Sequence, residues 1–550
     1  MDSIEPIFPL DRIYLCGIFG RKMSLDLASG RRVKISEEAW GLVQQVKEGT
    51  KPRTALSDAA CGAANELRIL LEAGRFGPDE AAILAEDFVP TGVNSVLFNL
   101  THNCNLACKY CIMCMPDLKE GYKNQAKTVD KGLICGVVDF IHSVGLPGTN
   151  LSFFGGEPLL AFDRLKETVE YAEAKYPGWF NFNVITNGTL LRKEMCEFFK
   201  KHKVSFLFSI DGDQPENDSL RVYKNGRGSV FRDAWKNIRH LKEKYPKIHY
   251  KVNVTYFRQT TDVLKAFRKF LALGVGNTRY ERGLATKDSP YRVNLADLGP
   301  LKEAFSGMAR EYRDHLLHGG RHLVDNFITP MRKIAKQTPR LRGCNMGIDY
   351  LTVAADGSLY PCHKLVGHKD HCVGHVLTSM DDTRYRGLWK KSVVVREPCK
   401  TCWARFLCGG CCVSDNFHES GSFLTPVEEN CELAKHLIGL SLWLFEELED
   451  KDPVILKDLL GPDYLLETDV PVAAQGSDPG KRVKNIKSGG VYELNDLARR
   501  ILDGCNGQNS VGDIARQLAA EYEIPRPVAL SDLRQQLGVF FHAGLIRFQV

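Results

Sequence analysis

Ser95-Val96-Leu97-Phe98, a short loop, and then Cys104-Asn105-Leu106-Ala107-Cys108-Lys109-Tyr110-Cys111: this stretch decides the fold. The apolar run reads as a strand, and three thiols follow shortly after its C-terminal end. Further strand-like runs lie at Asn150 to Phe154, Phe182 to Ile185, Ser205 to Ile210 and Tyr250 to Thr255. Helical stretches such as Leu165 to Ala174 and Lys193 to Lys203 intervene. Repeated strand–helix units over residues 93 to 285 predict an α/β fold with a parallel sheet, open or closed into a partial barrel. Chemistry in such a fold sits at the C-terminal ends of the strands.

The whole chain has 550 residues, too many for one compact core, so three or four domains are expected. Hydrophobic residues make up 44% and charged residues 25%, the balance of a globular protein. A net charge of +6, from 73 basic and 67 acidic residues with no Lys/Arg block, disfavours a nucleic-acid partner. Met1-Asp2-Ser3-Ile4-Glu5-Pro6 lacks the basic and apolar regions of a signal peptide. Leu437 to Phe445 is too short and too interrupted to span a bilayer. These features predict a soluble, cytoplasmic protein.

Eighteen cysteines in such a chain point to metal rather than disulfides. Cys104, Cys108 and Cys111 on one loop can hold three irons of a [4Fe–4S] cube and leave the fourth open. Zinc is the rival, with Cys114 or His102 as a fourth ligand. The next strand ends carry Gly155-Gly156-Glu157-Pro158, Thr186-Asn187-Gly188, and Ser209 with Asp211 and Gly212. The glycines let backbone approach a ligand, and the Glu157 carboxylate can hold an amine. Ser209 and Asp211 offer partners for a ribose, and Arg221 offers a planar fork for a carboxylate. Seven further cysteines run Cys344-x12-Gly357-x4-Cys362, then Cys399-x2-Cys402-x5-Cys408-x3-Cys412, then Cys431. The other eight (Cys16, Cys61, Cys114, Cys135, Cys196, Cys372, Cys411, Cys505) fit no pattern and read mostly as small buried apolar residues.

The cysteine triplet with Tyr110, the Gly155-Gly156-Glu157-Pro158 turn and the Ser209/Asp211 pair together resemble the radical SAM superfamily. That resemblance implies a partial (β/α)6 barrel in which S-adenosylmethionine chelates the open iron. A 5′-deoxyadenosyl radical then abstracts a substrate hydrogen. The second cysteine field resembles an irregular SPASM domain, which houses two auxiliary [4Fe–4S] clusters, making three in all. The resemblance assigns Cys399, Cys402, Cys408 and Cys431 to one auxiliary cluster and Cys344, Cys362 and Cys412 to the other. The fourth ligand of the latter is open, or is Cys372 or one of His363, His368, His371 and His375.

Both ends of the chain share a grammar of strands followed by short helices. Near the N-terminus, Arg12 to Gly20, Lys22 to Leu27 and Arg31 to Ile35 read as extended. Ser36 then caps a helix with Ala39, Leu42, Val43 and Val46 on one face, and a second helix carries Leu67, Leu70 and Leu71 up to Gly74. Near the C-terminus, Val491 to Leu494 precedes a helix with Leu497, Ile501 and Leu502. Ser510 opens another with Ile514 and Leu518, and a last one carries Leu533, Leu537 and Phe540. Residues 486 to 548 resemble the PqqD-like precursor-recognition module, through Gly490-Val491-Tyr492-Glu493-Leu494-Asn495 and Ala543-Gly544-Leu545-Ile546. Such a module takes a leader peptide as an added strand, and residues 12 to 77 form a candidate second copy.

The expected organisation is a winged-helix-like module over 1–90, the barrel over 91–300 and a helical linker over 301–340. The SPASM domain follows over 341–440, then a helix and linker over 441–480 and the PqqD-like module over 481–550. The leading expectation is a maturase that installs a thioether or other crosslink in a ribosomally made precursor peptide, fed electrons by a flavodoxin or ferredoxin. The alternatives are peptide epimerisation and an anaerobic sulfatase maturase. The latter family carries an Asp after the cysteine that Cys362 matches, where this chain has His363. An electron carrier or scaffold ranks last, because the residues for S-adenosylmethionine are intact. No acid, base or radical relay can be named from sequence.

Overall fold

The computed structural model describes residues 13–33, 35–48, 67, 92–114, 128–285, 289–336, 339–387, 392–461, 471–474, 482–484, 491–493, 496–522, 529, 533, 537 and 546–548. The chain divides into two compact units, one of residues 1–80, 334–338 and 445–550, the other of 81–333 and 339–444.

In the first unit, β1 (Ile13–Ile18) and β2 (Arg21–Asp26) form an antiparallel hairpin. The expected third extended run reduces to a single bridge between Leu25 and Arg32. Helix α1 (Glu37–Lys47) starts where Ser36 accepts from the Ala39 amide, and it buries Ala39, Leu42, Val43 and Val46. Leu67 is helical and buried, whereas Leu70, Leu71 and Gly74 lie outside the described residues.

The second unit holds a ten-stranded, mainly parallel sheet. Its strand–helix repeats run β3 (Val93–Thr101), α2 (Ile134–Val144), β4 (Gly145–Gly155), α3 (Phe162–Lys175), β5 (Phe180–Thr186), α4 (Lys193–Lys201) and β6 (Ser205–Ser209). They continue through α5 (Gln214–Leu220), α6 (Val230–Lys244), β7 (Tyr250–Tyr256), α7 (Val263–Ala272), β8 (Asn277–Arg282), α8 (Leu298–Leu317), β9 (Leu323–Val324) and α9 (Asp325–Lys336). Strands β3 to β9 lie in sequence order, every pair parallel. Val96, Phe98, Leu151, Phe153, Val184 and Phe208 are buried, and a sheet covered on both faces reads as the near-continuous apolar runs seen in sequence. Strand β8 escaped the sequence reading because Asn277-Thr278-Arg279-Tyr280-Glu281-Arg282 is mostly polar; only Thr278 and Tyr280 are buried.

The sheet does not end at β3. Strand β10 (Tyr350–Val353) pairs parallel to its outer edge, and β11 (Ser358–Tyr360) and β12 (Gly374–His375) extend it antiparallel. The second cysteine field thus grows out of the same sheet. It continues with α10 (Asp382–Arg386), α11 (Arg405–Cys408), α12 (Val413–Ser420) and α13 (Glu428–Lys451).

The end of α13 returns to the first unit, where Arg32 pairs with Glu446 and Glu449, and Arg21 pairs with Glu447 and Asp450. The unit is completed by α14 (Pro453–Leu460), β13 (Pro471–Ala474), β14 (Arg482–Lys484), β15 (Val491–Glu493), α15 (Asp496–Gly504), β16 (Asn506–Ser510), α16 (Val511–Glu521) and β17 (Ile546–Phe548). Ala498, Ile501, Leu502, Ile514, Leu518, Leu533 and Leu537 share one core. Leu497, expected on that buried face, is 40% exposed; Ala498 takes the inward position, one step round the helix. Phe540 lies outside the described residues. No helix among the described residues is long and apolar enough to cross a membrane.

Candidate functional site

The first cysteine loop leaves the C-terminal end of β3 and is laced to the tips of its neighbours. Ala107 and Lys109 donate to the carbonyls of Val222 and Leu220, at 2.7 and 2.9 Å. The Gly156 and Glu157 amides donate to the Thr101 and Asn103 carbonyls, at 2.7 and 2.8 Å. A Cβ on Gly155 would lie 2.0 Å from the Thr101 oxygen, and one on Gly156 would lie 2.2 Å from the Asn103 oxygen. The two glycines therefore admit the cysteine loop's own backbone, a tighter constraint than the ligand approach expected from sequence.

The side chains show how three of the expected site residues are held. The Glu157 carboxylate is fully buried and accepts from the Leu159 amide (3.1 Å), the Thr186 hydroxyl (2.7 Å) and the Asn187 amide (2.9 Å). Burial pushes it up to about 7 against those three donors. It locks β4 to β5. Asp211 and Arg221, read as partners for a ribose and a carboxylate, hold each other through bonds of 2.7 and 3.0 Å. Asp211 also accepts from the Tyr110 hydroxyl and, at 2.9 Å, from the Thr255 amide. The Arg221 guanidinium lies 5.4 Å over the Tyr110 ring. This buried trio anchors the last turn of the cysteine loop. Asn187 donates to Asn105 at 3.0 Å and ties the loop's first turn to β5, while Ser209 closes β6 as read.

The loop fits an iron–sulfur cube. Cys104 and Cys108 are mostly enclosed, and burial pushes their thiols up, Cys108 to about 11. Arg221 works the other way on both, and the Leu106 amide points at the Cys104 sulfur at 3.4 Å. Enclosed thiols that resist ionising alone become thiolates when a cation is bound among them. The side chain of Cys114 lies outside the described residues.

The seven patterned cysteines of the second field gather in two groups. Cys344, Cys362 and Cys412 act electrostatically on one another around the apolar cluster of Met346, Leu365 and Val413. Beside them Lys364 Nζ stands 2.6 Å from Asp415 Oδ1 and 4.0 Å from Cys412 Sγ. The His363 ring takes the other side. Its Nδ1 lies 3.0 Å from the Tyr350 hydroxyl and 4.0 Å from Cys362 Sγ, and its edge meets Phe154 at 5.5 Å. Burial pulls His363 down to about 3, so it is a neutral imidazole, reaching from this group to the β4 tip. Cys372 is packed elsewhere, against Ala354, Tyr360 and Val366. His371 stacks edge-on with Phe417 and Phe423, and His375 bonds the Asp356 carbonyl.

Cys399, Cys402, Cys408 and Cys431 form the other group, each within electrostatic reach of the rest. A fifth thiol joins them that sequence reading missed: Cys411 Sγ lies 3.6 Å from Cys408 Sγ. The Cys408-x2-Cys411 spacing could have revealed it, but the x3 spacing to Cys412 absorbed Cys408 first.

A mainly parallel sheet with three thiols beyond one strand tip is the arrangement expected of a cluster-binding partial-barrel enzyme. Residues 98–271 match the Radical SAM superfamily, and residues 482–546 match Coenzyme PQQ synthesis protein D (PqqD). The chain is a radical SAM enzyme with a PqqD-like domain at its C-terminal end, and the superfamily implies S-adenosylmethionine and a [4Fe–4S] cluster. An uncharacterized protein of Archaeoglobus fulgidus is 25% identical over 358 residues, which is 63% of this chain and 80% of that one. The serine-type anaerobic sulfatase-maturating enzyme of Klebsiella aerogenes is 23% identical over 60% of this chain and 82% of its own. The solved structure of anSMEcpe with bound AdoMet and Cp18Cys peptide shares the fold. It has a TM-score of 0.55 and 19% identity, and covers 66% of this chain and 99% of that one.

Proposed function

We propose that this enzyme modifies a ribosomally made precursor peptide, forming a thioether or another intramolecular crosslink. The observation that carries the reading is one chain bearing both a radical SAM domain and a PqqD-like domain. Cys104, Cys108 and Cys111 would hold the cluster, and the backbone of Gly155 to Glu157 with Asn187 and Ser209 would hold S-adenosylmethionine. When bound, the pair supplies one-electron cleavage of the sulfonium and a 5′-deoxyadenosyl radical. The Tyr110–Asp211–Arg221 trio and the Asn105–Asn187 bond keep the loop in place while that happens. The two further cysteine groups form a SPASM domain with two auxiliary [4Fe–4S] clusters. The PqqD-like domain takes the leader of the peptide along a strand edge, and a flavodoxin or ferredoxin supplies the electron.

The test is anaerobic co-expression with a short peptide encoded beside the gene, read by tandem mass spectrometry against a Cys104/Cys108/Cys111→Ala control. Loss of two hydrogens, with missing fragments between two residues, is expected in the active pair alone. An unchanged peptide carrying deuterium from deuterated water would mean epimerisation. The sulfatase-maturating relatives support a second reading, formylglycine formation. It predicts a change confined to one Ser or Cys, and His363 in place of the acidic residue stands against it.

A further inference from the structure

Cys411 has no place in the seven-cysteine pattern, yet its surroundings single it out. Its Sγ is 3.6 Å from Cys408 Sγ, and the Cys431 thiol is near enough to act on it electrostatically. Its φ is +58°, a left-handed conformation that follows Gly409 at +71° and Gly410 at +88°. A glycine would sit there without strain, so retaining a side chain calls for a reason. The turn is also locked in place, because a Cβ on Gly343 would lie 1.9 Å from the Cys411 carbonyl oxygen.

The sulfur spacing says what the reason is. Two thiolates on one tetrahedral metal, with bonds of about 2.3 Å, stand about 3.8 Å apart. Thiolates on different irons of a cube stand much farther apart. A separation of 3.6 Å therefore suits two sulfurs serving the same iron. A corner iron of a cube already holds three sulfides and has one position left, so the two thiols take turns.

We propose that Cys408 and Cys411 are alternative ligands to one iron of the cluster held with Cys399, Cys402 and Cys431; this rests on the reading that the group binds a [4Fe–4S] cluster. Exchange breaks one iron–sulfur bond and makes another. The incoming thiol gives up its proton, the outgoing thiolate takes one, and no oxidation state changes. The thiol not bound donates its S–H to the one that is. Cys412, the next residue, belongs to the other cysteine group. When Cys411 is the ligand, a single peptide unit joins the two sites.

The experiment uses full-length protein reconstituted anaerobically in the Cys104/Cys108/Cys111→Ala background, so that only auxiliary iron is counted. Iron content, Mössbauer spectra and midpoint potentials are compared across variants. The background protein is expected to hold about eight irons, and Cys402→Ala to lose about four of them. Cys408→Ala keeps its iron with an altered spectrum, whereas Cys408→Ala combined with Cys411→Gly loses as much as Cys402→Ala. Cys411→Gly alone keeps its iron and shifts the potential; glycine suits the left-handed backbone, so a purely structural Cys411 would leave the potential unmoved. Iron loss in Cys408→Ala equal to that in Cys402→Ala would overturn the proposal. So would an unshifted potential in Cys411→Gly, or a Cys408–Cys411 disulfide in the reconstituted protein. A background protein with no Cys402-dependent iron would instead bring down the cluster reading itself.

Discussion

The two cysteine groups between residues 344 and 431 arise from one stretch of chain yet surround their sulfurs differently. Cys344, Cys362 and Cys412 share their space with an ammonium, a carboxylate and an imidazole, from Lys364, Asp415 and His363. Cys399, Cys402, Cys408 and Cys431 share theirs with another sulfur, that of Cys411. A cube has four irons to satisfy. The first group has fewer thiols than that and the second has more. Cysteine spacing alone suggests two similar sites, but what fills the remaining position sets their chemistry.

The largest expected effect exposes this directly. Cys362→Ala in reconstituted full-length protein should remove the first auxiliary cluster, about four irons per chain, because only three thiols converge there among the described residues. Cys408→Ala, in the group with a spare thiol, should not. Equal retention of iron in the two variants would erase the contrast.

A smaller effect concerns the ion pair. Burial pulls the Lys364 ammonium down and pushes the Asp415 carboxyl up, but their neighbours, each other foremost, leave the ammonium raised and the carboxyl lowered. Lys364→Met strands a buried carboxylate and should cost about 3–5 kcal/mol, read as a lowered unfolding midpoint of the anaerobic holoenzyme. Adding Asp415→Asn should recover most of the loss. Asp415 titrates below its ordinary value near 3.8 when folded, so the stability it contributes is complete above that pH and disappears as the pH falls through the lower folded value.

Much of this was legible beforehand, for physical reasons that differ by region. Strands β3 to β7 announce themselves because a sheet covered on both faces selects unbroken apolar runs. The caps at Ser36 and Ser510 are local, fixed by a hydroxyl meeting an amide three residues on. Partnerships between strand tips were not legible. Asp211 and Arg221 lie ten residues apart in sequence, and nothing local says that they meet each other rather than a ligand. Glu157 likewise finds two of its three donors at the end of β5, thirty residues away for the Asn187 amide. Cys411 was hidden because it directly precedes Cys412, a cysteine that the pattern already used.

Cys372 gives the smallest effect and the sharpest check on the asymmetry. Sequence made it a candidate fourth ligand for the first group. Its Sγ instead donates to the Gly374 carbonyl at 3.3 Å, among Ala354, Tyr360 and Val366. A serine hydroxyl can make the same bond in the same place, so Cys372→Ser should cost about 1 kcal/mol of stability and no iron. Loss of about four irons would make Cys372 a ligand. The first group would then be closed by sulfur like the second.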